Sequence, residues 1–104
     1  MAPLNEVVKK AVFDEYAGGG FNLTTYAVAN ENQDAFAVLI VDTSNPKHET
    51  DIVVFARIEG EYVIIEADNT DHPLEDVLVV MGIPREKIIC AHWGESLPDA
   101  EAKT

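Results

Sequence analysis

The segment Ala35-Phe36-Ala37-Val38-Leu39-Ile40-Val41 decides the fold, because it is apolar throughout and polar residues bound it at both ends. A short, uninterrupted apolar run between turn residues is typical of a strand at the centre of a sheet. Such a strand predicts cover on both of its faces, supplied either by two helices or by a second subunit.

Three further segments predict an antiparallel meander that includes this central strand. From Phe21 to Ala29, residues alternate between the two faces in the manner of a strand. Ile52 to Ile58 and Tyr62 to Glu66 are runs of β-branched residues that flank Glu59-Gly60-Glu61, which indicates a hairpin. Four strands in succession with short connections favour antiparallel pairing.

An N-terminal helix is predicted from Asn5 to Ala17, where Val8, Val12 and Tyr16 recur at four-residue spacing. The triplet Gly18-Gly19-Gly20 is expected to end this helix through the positive φ that glycine readily adopts.

A second helix follows Pro73, because Leu74, Val77, Leu78 and Met81 repeat at the spacing of one helical face. Asp71 or His72 is expected to cap its first turn, and Gly82 is expected to end it.

The fold class predicted is therefore α+β: an antiparallel four-strand meander with an N-terminal helix, a second helix and a short C-terminal strand from Lys87 to Ala91. Residues 1–94 are expected to form a single domain, with 95–104 as a flexible polar tail. The expected core consists of apolar residues from the strands and the second helix: Phe36, Val38, Leu39, Ile40, Val54, Ile64, Val77, Leu78 and Ile88.

Composition and charge indicate a folded, acidic protein that does not bind nucleic acid directly. Hydrophobic residues make up 47% and charged residues 25% of the 104 positions, which is the balance of a globular domain rather than a disordered one. The net charge is −12, with seven basic residues scattered among nineteen acidic ones. Because phosphate neutralisation needs clustered Lys and Arg, this pattern argues against DNA binding.

No apolar run is long enough to cross a membrane, and the first residues lack the basic and then apolar order of a secretory signal. We therefore expect a cytoplasmic protein. The single Cys90 lies in the apolar run Ile88-Ile89-Cys90-Ala91 and is expected to be a small buried hydrophobe rather than a reactive thiol.

The densest polar cluster consists of Asp68, Thr70, Asp71 and His72. A functional interpretation pairs a carboxylate with the histidine for acid-base chemistry. The structural interpretation is a strand-to-helix turn whose side-chain oxygens cap free backbone N–H groups, and the residue types favour it.

No catalytic, cofactor-binding or metal-ligating set is predicted, because the three histidines have no metal-ligand spacing and no serine accompanies a His-Asp arrangement. Trp93, with His92 beside it, follows the last predicted strand. Tryptophan is enriched at binding hot spots, so these two residues are candidates for contact with a protein partner, although Trp93 is equally suited to covering an edge of the core.

Three segments together carry a resemblance to a known family. The helix Val7 to Ala17, the turn Asp68-Asn69-Thr70-Asp71, and the segment Gly82-Ile83-Pro84-Arg85-Glu86-Lys87-Ile88-Ile89 resemble the XisI family of fdxN element excision controlling factors, over about residues 5 to 93. The chain departs from the family pattern at Val41-Asp42-Thr43 and at Trp93-Gly94-Glu95.

The resemblance implies a non-enzymatic regulatory accessory protein that acts with an XisH-like partner, which itself resembles nucleases, in controlling site-specific excision of a DNA element. Two alternatives remain open: a small enzyme or ligand-binding domain that uses the Asp68–His72 turn, and an acidic neutraliser of a toxin-like partner. A homo-oligomer, most simply a dimer, is also expected, because a small chain with a strand that is apolar on both sides leaves surface for a second copy to cover.

Overall fold

The described part of the chain forms two helices and five strands, as the sequence patterns predict. The computed structural model describes residues 3–44 and 46–97. In chain order the elements are α1 (Leu4–Tyr16), β1 (Leu23–Ala29), β2 (Ala35–Asp42), β3 (Glu49–Glu59), β4 (Tyr62–Asp68), α2 (Leu74–Val80), a 3-10 turn (Arg85–Lys87), β5 (Ile88–Cys90) and a second 3-10 turn (Ala91–Trp93).

The strands lie in one sheet in the order β1-β2-β3-β4-β5. The first four pair antiparallel, which confirms the meander, whereas β5 pairs parallel to β4. The parallel pairing follows from α2. A helix between two strands carries the chain back to the end of the sheet at which the first strand began, so the second strand runs in the same direction.

Both helices pack on the same face of the sheet. Register places Phe36 opposite Ala56 and Val38 opposite Val54, so these side chains share that face. The core beneath the helices contains apolar residues from α1, α2 and all strands except β1: Val8, Ala11, Val12, Tyr16, Phe36, Val38, Val54, Ala56, Val63, Ile65, Leu74, Val77, Leu78, Ile83, Ile88 and Cys90. Burial of Cys90 agrees with the sequence-based expectation.

Both helices lie on one side of β2, so two helices do not supply the cover that was predicted for both of its faces; cover of the other face by a second subunit stays a prediction. Leu39 and Ile40, predicted as core residues, are only half-buried. The other predicted core residues are buried: Phe36, Val38, Val54, Ile64, Val77, Leu78 and Ile88.

The glycine triplet after α1 works differently from the sequence-based expectation. None of Gly18, Gly19 and Gly20 has a positive φ. The helix ends at Tyr16, and Gly19 is needed instead for a close approach, since a Cβ there would lie 2.6 Å from the backbone oxygen of Leu23. The predicted start of β1 at Phe21 is also too early, because Phe21 lies on the turn that precedes the strand and is 92% exposed.

The C-terminal end of α2 follows the expectation for Gly82, which has φ +101°. The N–H groups of Gly82 and Ile83 donate to the carbonyls of Val79 and Leu78, each at 3.0 Å, which is the hydrogen-bond pattern of a Schellman motif. Within the part of the chain that the structure describes, no helix has the length and apolar character needed to span a membrane.

Candidate functional site

The polar turn after β4 is organised around the carboxylate of Asp68. Its Oδ1 accepts hydrogen bonds from the N–H of Thr70 at 3.1 Å and from the Thr70 hydroxyl at 2.6 Å, and its Oδ2 accepts from the N–H of Leu74 at 2.8 Å. The first turn of α2 is thus capped by Asp68, six residues before the helix begins. The expectation that Asp71 or His72 provides the cap is wrong, and Asp71 lies exposed on the turn.

The backbone of this turn is tied to α1 by Tyr16. The Tyr16 hydroxyl donates to the carbonyl of His72 at 2.5 Å, and the tyrosine ring is only 8% exposed. Burial raises the pKa of Tyr16 well above its usual range, and the negative charges of Asp68 and Glu15 raise it further. Tyr16 therefore stays protonated and serves as a structural donor that fixes the turn against the helix.

The ring of His72 is not paired with Asp68, as acid-base chemistry at this turn would require. Its Nε2 lies 3.6 Å from Oε2 of Glu15 on α1, while the carboxylate of Asp68 is occupied by three donors from the turn itself. The structure thus brings together Asp68 and Thr70, but pairs His72 with a residue that the sequence analysis did not single out.

A cleft of about 250 Å³ lies beside His72, between α1 and α2. Its lining is mainly apolar, with two carboxylates and the histidine at the margin: Glu15, His72, Asp76, Val77, Val80 and Met81. Among residues 3–44 and 46–97, no group of three or more His, Cys, Asp or Glu side chains is arranged to hold a metal ion.

A second polar cluster, which the sequence analysis missed, is centred on Arg85. Its Nε lies 2.7 Å from Oε2 of Glu75 on α2, and another of its nitrogens lies 3.3 Å from Oε2 of Glu95. The other oxygen of Glu95 accepts from the N–H of Cys90 at 2.8 Å. Glu75 and Glu95 each lie ten positions from Arg85 in the sequence, so only the folded chain reveals the cluster.

Two groups at the Arg85 cluster, the Glu95 carboxyl and the Cys90 thiol, have pKa values that differ from their usual ones. The Cys90 N–H and the Arg85 guanidinium hold the pKa of Glu95 below its usual value. Burial, together with the neighbouring Glu75 carboxylate, raises the pKa of the Cys90 thiol to about 12. The thiol is therefore neutral at physiological pH, where the thiolate form needed for nucleophilic chemistry is scarce.

Trp93 lies on the short 3-10 turn that follows β5, and 61% of it is exposed. The His92 ring beside it is 5.1 Å away between centroids, and its Nδ1 lies 3.1 Å from the Ile65 carbonyl, to which it donates. Gly94 then turns the chain with φ +95°, and its N–H donates to the carbonyl of Ala91 at 2.9 Å. The indole is thus held at the surface by a turn that is fixed on both sides.

Basic side chains are largely neutralised by acidic neighbours. Arg57 pairs with Glu66 at 2.7 Å and with Glu59 at 3.1 Å, in addition to the pairs of Arg85 described above. Other ion pairs join Lys87 to Glu61 and Lys10 to Asp14. Within the described residues both arginines are therefore committed to carboxylates, which leaves the acidic residues to dominate the surface field.

The fold and these two clusters define a class of protein: a small acidic α+β domain in which the polar clusters stabilise the chain and a tryptophan stands exposed on a fixed turn. The sequence matches the profile of the XisI protein family over residues 4–98, and the chain belongs to this family.

Solved structures support the same fold. A XisI-like protein from Anabaena variabilis ATCC 29413 superimposes with a TM-score of 0.73 at 21% identity, covering 96% of this chain and 91% of that one. The fdxN element excision controlling factor XisI from the same organism superimposes with a TM-score of 0.58 at 22% identity, covering 93% and 89%. Comparison with curated proteins gave no match.

Proposed function

We propose that this protein is a non-enzymatic regulatory accessory factor that controls excision of a DNA element by contacting an XisH-like protein partner. Membership of the XisI family supports the regulatory role, since one structurally similar protein is called an element excision controlling factor. The observation that carries the contact mechanism is the exposed Trp93 on its fixed turn.

Exposure of Trp93 has an energetic consequence. Leaving most of a tryptophan side chain in water forgoes the large stabilisation that burial of its apolar surface would give. The sequence left two roles open for Trp93: contact with a partner and cover for an edge of the core. A side chain that is 61% exposed covers little of the core. A partner that covers the indole gains this burial at little entropic cost, because the turn is already ordered.

Charge supports a basic partner. With both described arginines paired to carboxylates, a net charge of −12 favours encounter with a basic surface and disfavours approach to DNA. The protein would thus reach DNA only through its partner.

The geometry of the polar turn weighs against the enzyme alternative, because the carboxylate of Asp68 accepts three internal hydrogen bonds.

The test is co-purification with an XisH-like protein from the same genome, followed by titration of the purified pair. Trp93→Ala should weaken the complex on the order of 10- to 100-fold, through loss of a buried aromatic anchor. Phe21→Ala is the matched control, because Phe21 is an exposed aromatic residue on the β1 side of the sheet, and it should leave affinity unchanged. Equal affinities for wild type and Trp93→Ala would refute the contact role of Trp93.

The same samples separate the remaining alternatives. A partner that cleaves DNA alone but not in the complex would identify this chain as a neutraliser of a toxin-like protein instead of an excision regulator. A retarded element-end duplex with this chain alone at physiological salt, resistant to competitor DNA, would contradict the indirect route to DNA.

A further inference from the structure

The two edges of the sheet differ in whether the chain satisfies their backbone groups. At the β5 edge, the Arg85 guanidinium donates to the carbonyl of Ile88 at 2.7 Å. Glu95 completes this edge, since its carboxylate accepts from the N–H of Cys90 at 2.8 Å and its own N–H donates to the Cys90 carbonyl at 3.3 Å. The β5 edge is therefore closed by the protein's own groups.

At the other edge, the direction of the β1 backbone groups follows from its pairing with β2. The Asn22 carbonyl accepts from the N–H of Thr43 at 2.8 Å, and the N–H of Asn30 donates to the Ala35 carbonyl at 3.1 Å. In an antiparallel ladder, backbone groups of alternate residues face the paired strand. Even-numbered residues between 22 and 30 therefore face β2, and odd-numbered residues face outwards.

Among residues 3–44 and 46–97, the partners of the outward-facing groups of β1 are found at its first residue alone. Leu23 exchanges two backbone hydrogen bonds with Gly20, at 3.1 and 3.2 Å, across the turn that precedes the strand. Beyond it, Thr25, Ala27 and Ala29 direct their N–H and C=O groups outwards, and no described residue bonds to them. Three of the seven residues of β1 thus have backbone groups available for another strand.

This open edge lacks the features that usually prevent pairing between proteins. Natural sheets protect edges with charges, proline, bulges or a covering loop. No charged residue occurs from Ala17 to Asn30, which is the longest uncharged stretch of the chain, and β1 contains no proline. Its pairing with β2 shows no register shift, and Tyr26 and Val28 are 53% and 41% exposed.

We propose that β1 pairs antiparallel with β1 of a second copy around a two-fold axis, joining two five-stranded sheets into one. Two chains that each carry a net charge of −12 repel each other, so stable contact requires a surface that is uncharged on both copies. One open edge per chain produces a closed pair rather than a filament, because pairing consumes the open edge of each copy.

The outward-facing groups also define the register. Alignment centred on Ala27 places Ala27 opposite its own copy and Thr25 opposite Ala29, so that all three outward-facing residues form hydrogen bonds. On the face of the sheet away from the helices, the same register places Tyr26 opposite Val28 of the second copy. Pairs of an aromatic and a β-branched residue at such positions stabilise antiparallel sheets. This inference goes beyond the proposed function and is independent of it, because Trp93 follows β5, the strand at the opposite edge of the sheet.

The mass in solution tests the interface. Light scattering after size-exclusion chromatography at tens of micromolar should give twice the chain mass of 11.4 kDa for wild type. Tyr26→Glu should give the mass of one chain with an unchanged circular dichroism spectrum, because it places two carboxylates at the paired strands. Val80→Glu is the matched control, since Val80 is 86% exposed on α2 and the change in net charge is the same; this variant should remain a dimer. A single-chain mass for wild type, or a dimer that survives Tyr26→Glu, would overturn the proposal.

Disulfide formation tests the register in chains that keep Tyr26. Under mild oxidation Ala27→Cys should convert to a covalent dimer, since the introduced thiol of each chain would face its counterpart across the axis within disulfide range. Ala29→Cys alone should not, but should cross-link when mixed with Thr25→Cys. The native Cys90 does not interfere because it is fully buried. Cross-linking of Ala29→Cys to itself, or none by Ala27→Cys, would contradict the register even if Tyr26→Glu failed to fold.

Discussion

At the scale of single residues, Asp68 shows how a carboxylate in a polar cluster can be structural. It ends β4 and accepts backbone donors from Thr70 and from Leu74, so it joins the last long strand to the helix that follows. Its negative charge also lies next to the N-terminal end of α2, where the free N–H groups concentrate positive potential. Removal of this carboxylate should therefore lower the free energy of unfolding.

Replacement of Asp68 by alanine tests this role. Asp68→Ala leaves the N–H groups of Thr70 and Leu74 without their acceptor, and we expect a loss of about 1–2 kcal/mol in the free energy of unfolding. Asp71→Ala is the control, because Asp71 is exposed on the same turn, and its effect should stay within about 0.5 kcal/mol. Urea denaturation at one fixed protein concentration measures both; equal losses in the two variants would show that Asp68 is not the cap.

At the scale of elements, local patterns predicted the presence of both α-helices and all five described strands, but not the start of β1 or the contacts that connect the elements. The alternation from Phe21 to Ala29 and the apolar run of β2 are patterns among residues that are adjacent in the chain, so they can be read directly from the sequence. The cap from Asp68 was missed because capping rules consider residues next to the helix, whereas this residue returns to Leu74 from six positions earlier. The Arg85 cluster was missed because its members meet only after α2 and β5 have packed.

The sidedness of the sheet could not be read from the sequence for a similar reason. An apolar strand such as β2 predicts cover on two faces, but it does not say which elements provide the cover. Both helices pack on one face here, so Leu39 is half-buried and the far face of β1 remains exposed. The sequence-based expectation of a second copy arose from this excess of apolar surface, and the open edge of β1 gives that expectation a location.

The C-terminal end of α2 offers a test at the element scale. Gly82 has φ +101°, a conformation that an L-residue adopts only with strain, and Gly82→Ala should cost about 1–2 kcal/mol of unfolding free energy. Gly18→Ala is the matched control, because no atom lies within 4 Å of the added Cβ and its φ is not left-handed; it should be neutral or slightly stabilising. Thermal denaturation of both variants checks this, and a harmless Gly82→Ala would contradict the Schellman geometry.

At the scale of the whole molecule, the distribution of charge separates two kinds of contact. Acidic residues are spread over α1, α2 and most of the strands, while the segment from Ala17 to Asn30 carries no charge. Association of two copies through β1 is therefore opposed by repulsion between their net charges. An interface with a basic partner at Trp93 is instead favoured by that charge. The two proposed contacts should consequently respond to ionic strength in opposite directions.

The dissociation constants of the homodimer and of the partner complex, measured over a range of NaCl concentrations, distinguish the two contacts. Between about 50 and 300 mM NaCl, screening should reduce repulsion between two −12 chains and tighten the homodimer on the order of 10-fold. Over the same range the complex with the basic partner should weaken, mainly through slower association. NaCl is preferable to sulfate, because sulfate by itself strengthens the burial of apolar surface. A homodimer whose dissociation constant rises with NaCl must be held by ion pairs, which the uncharged β1 edge cannot supply, so its interface would have to lie elsewhere on the molecule.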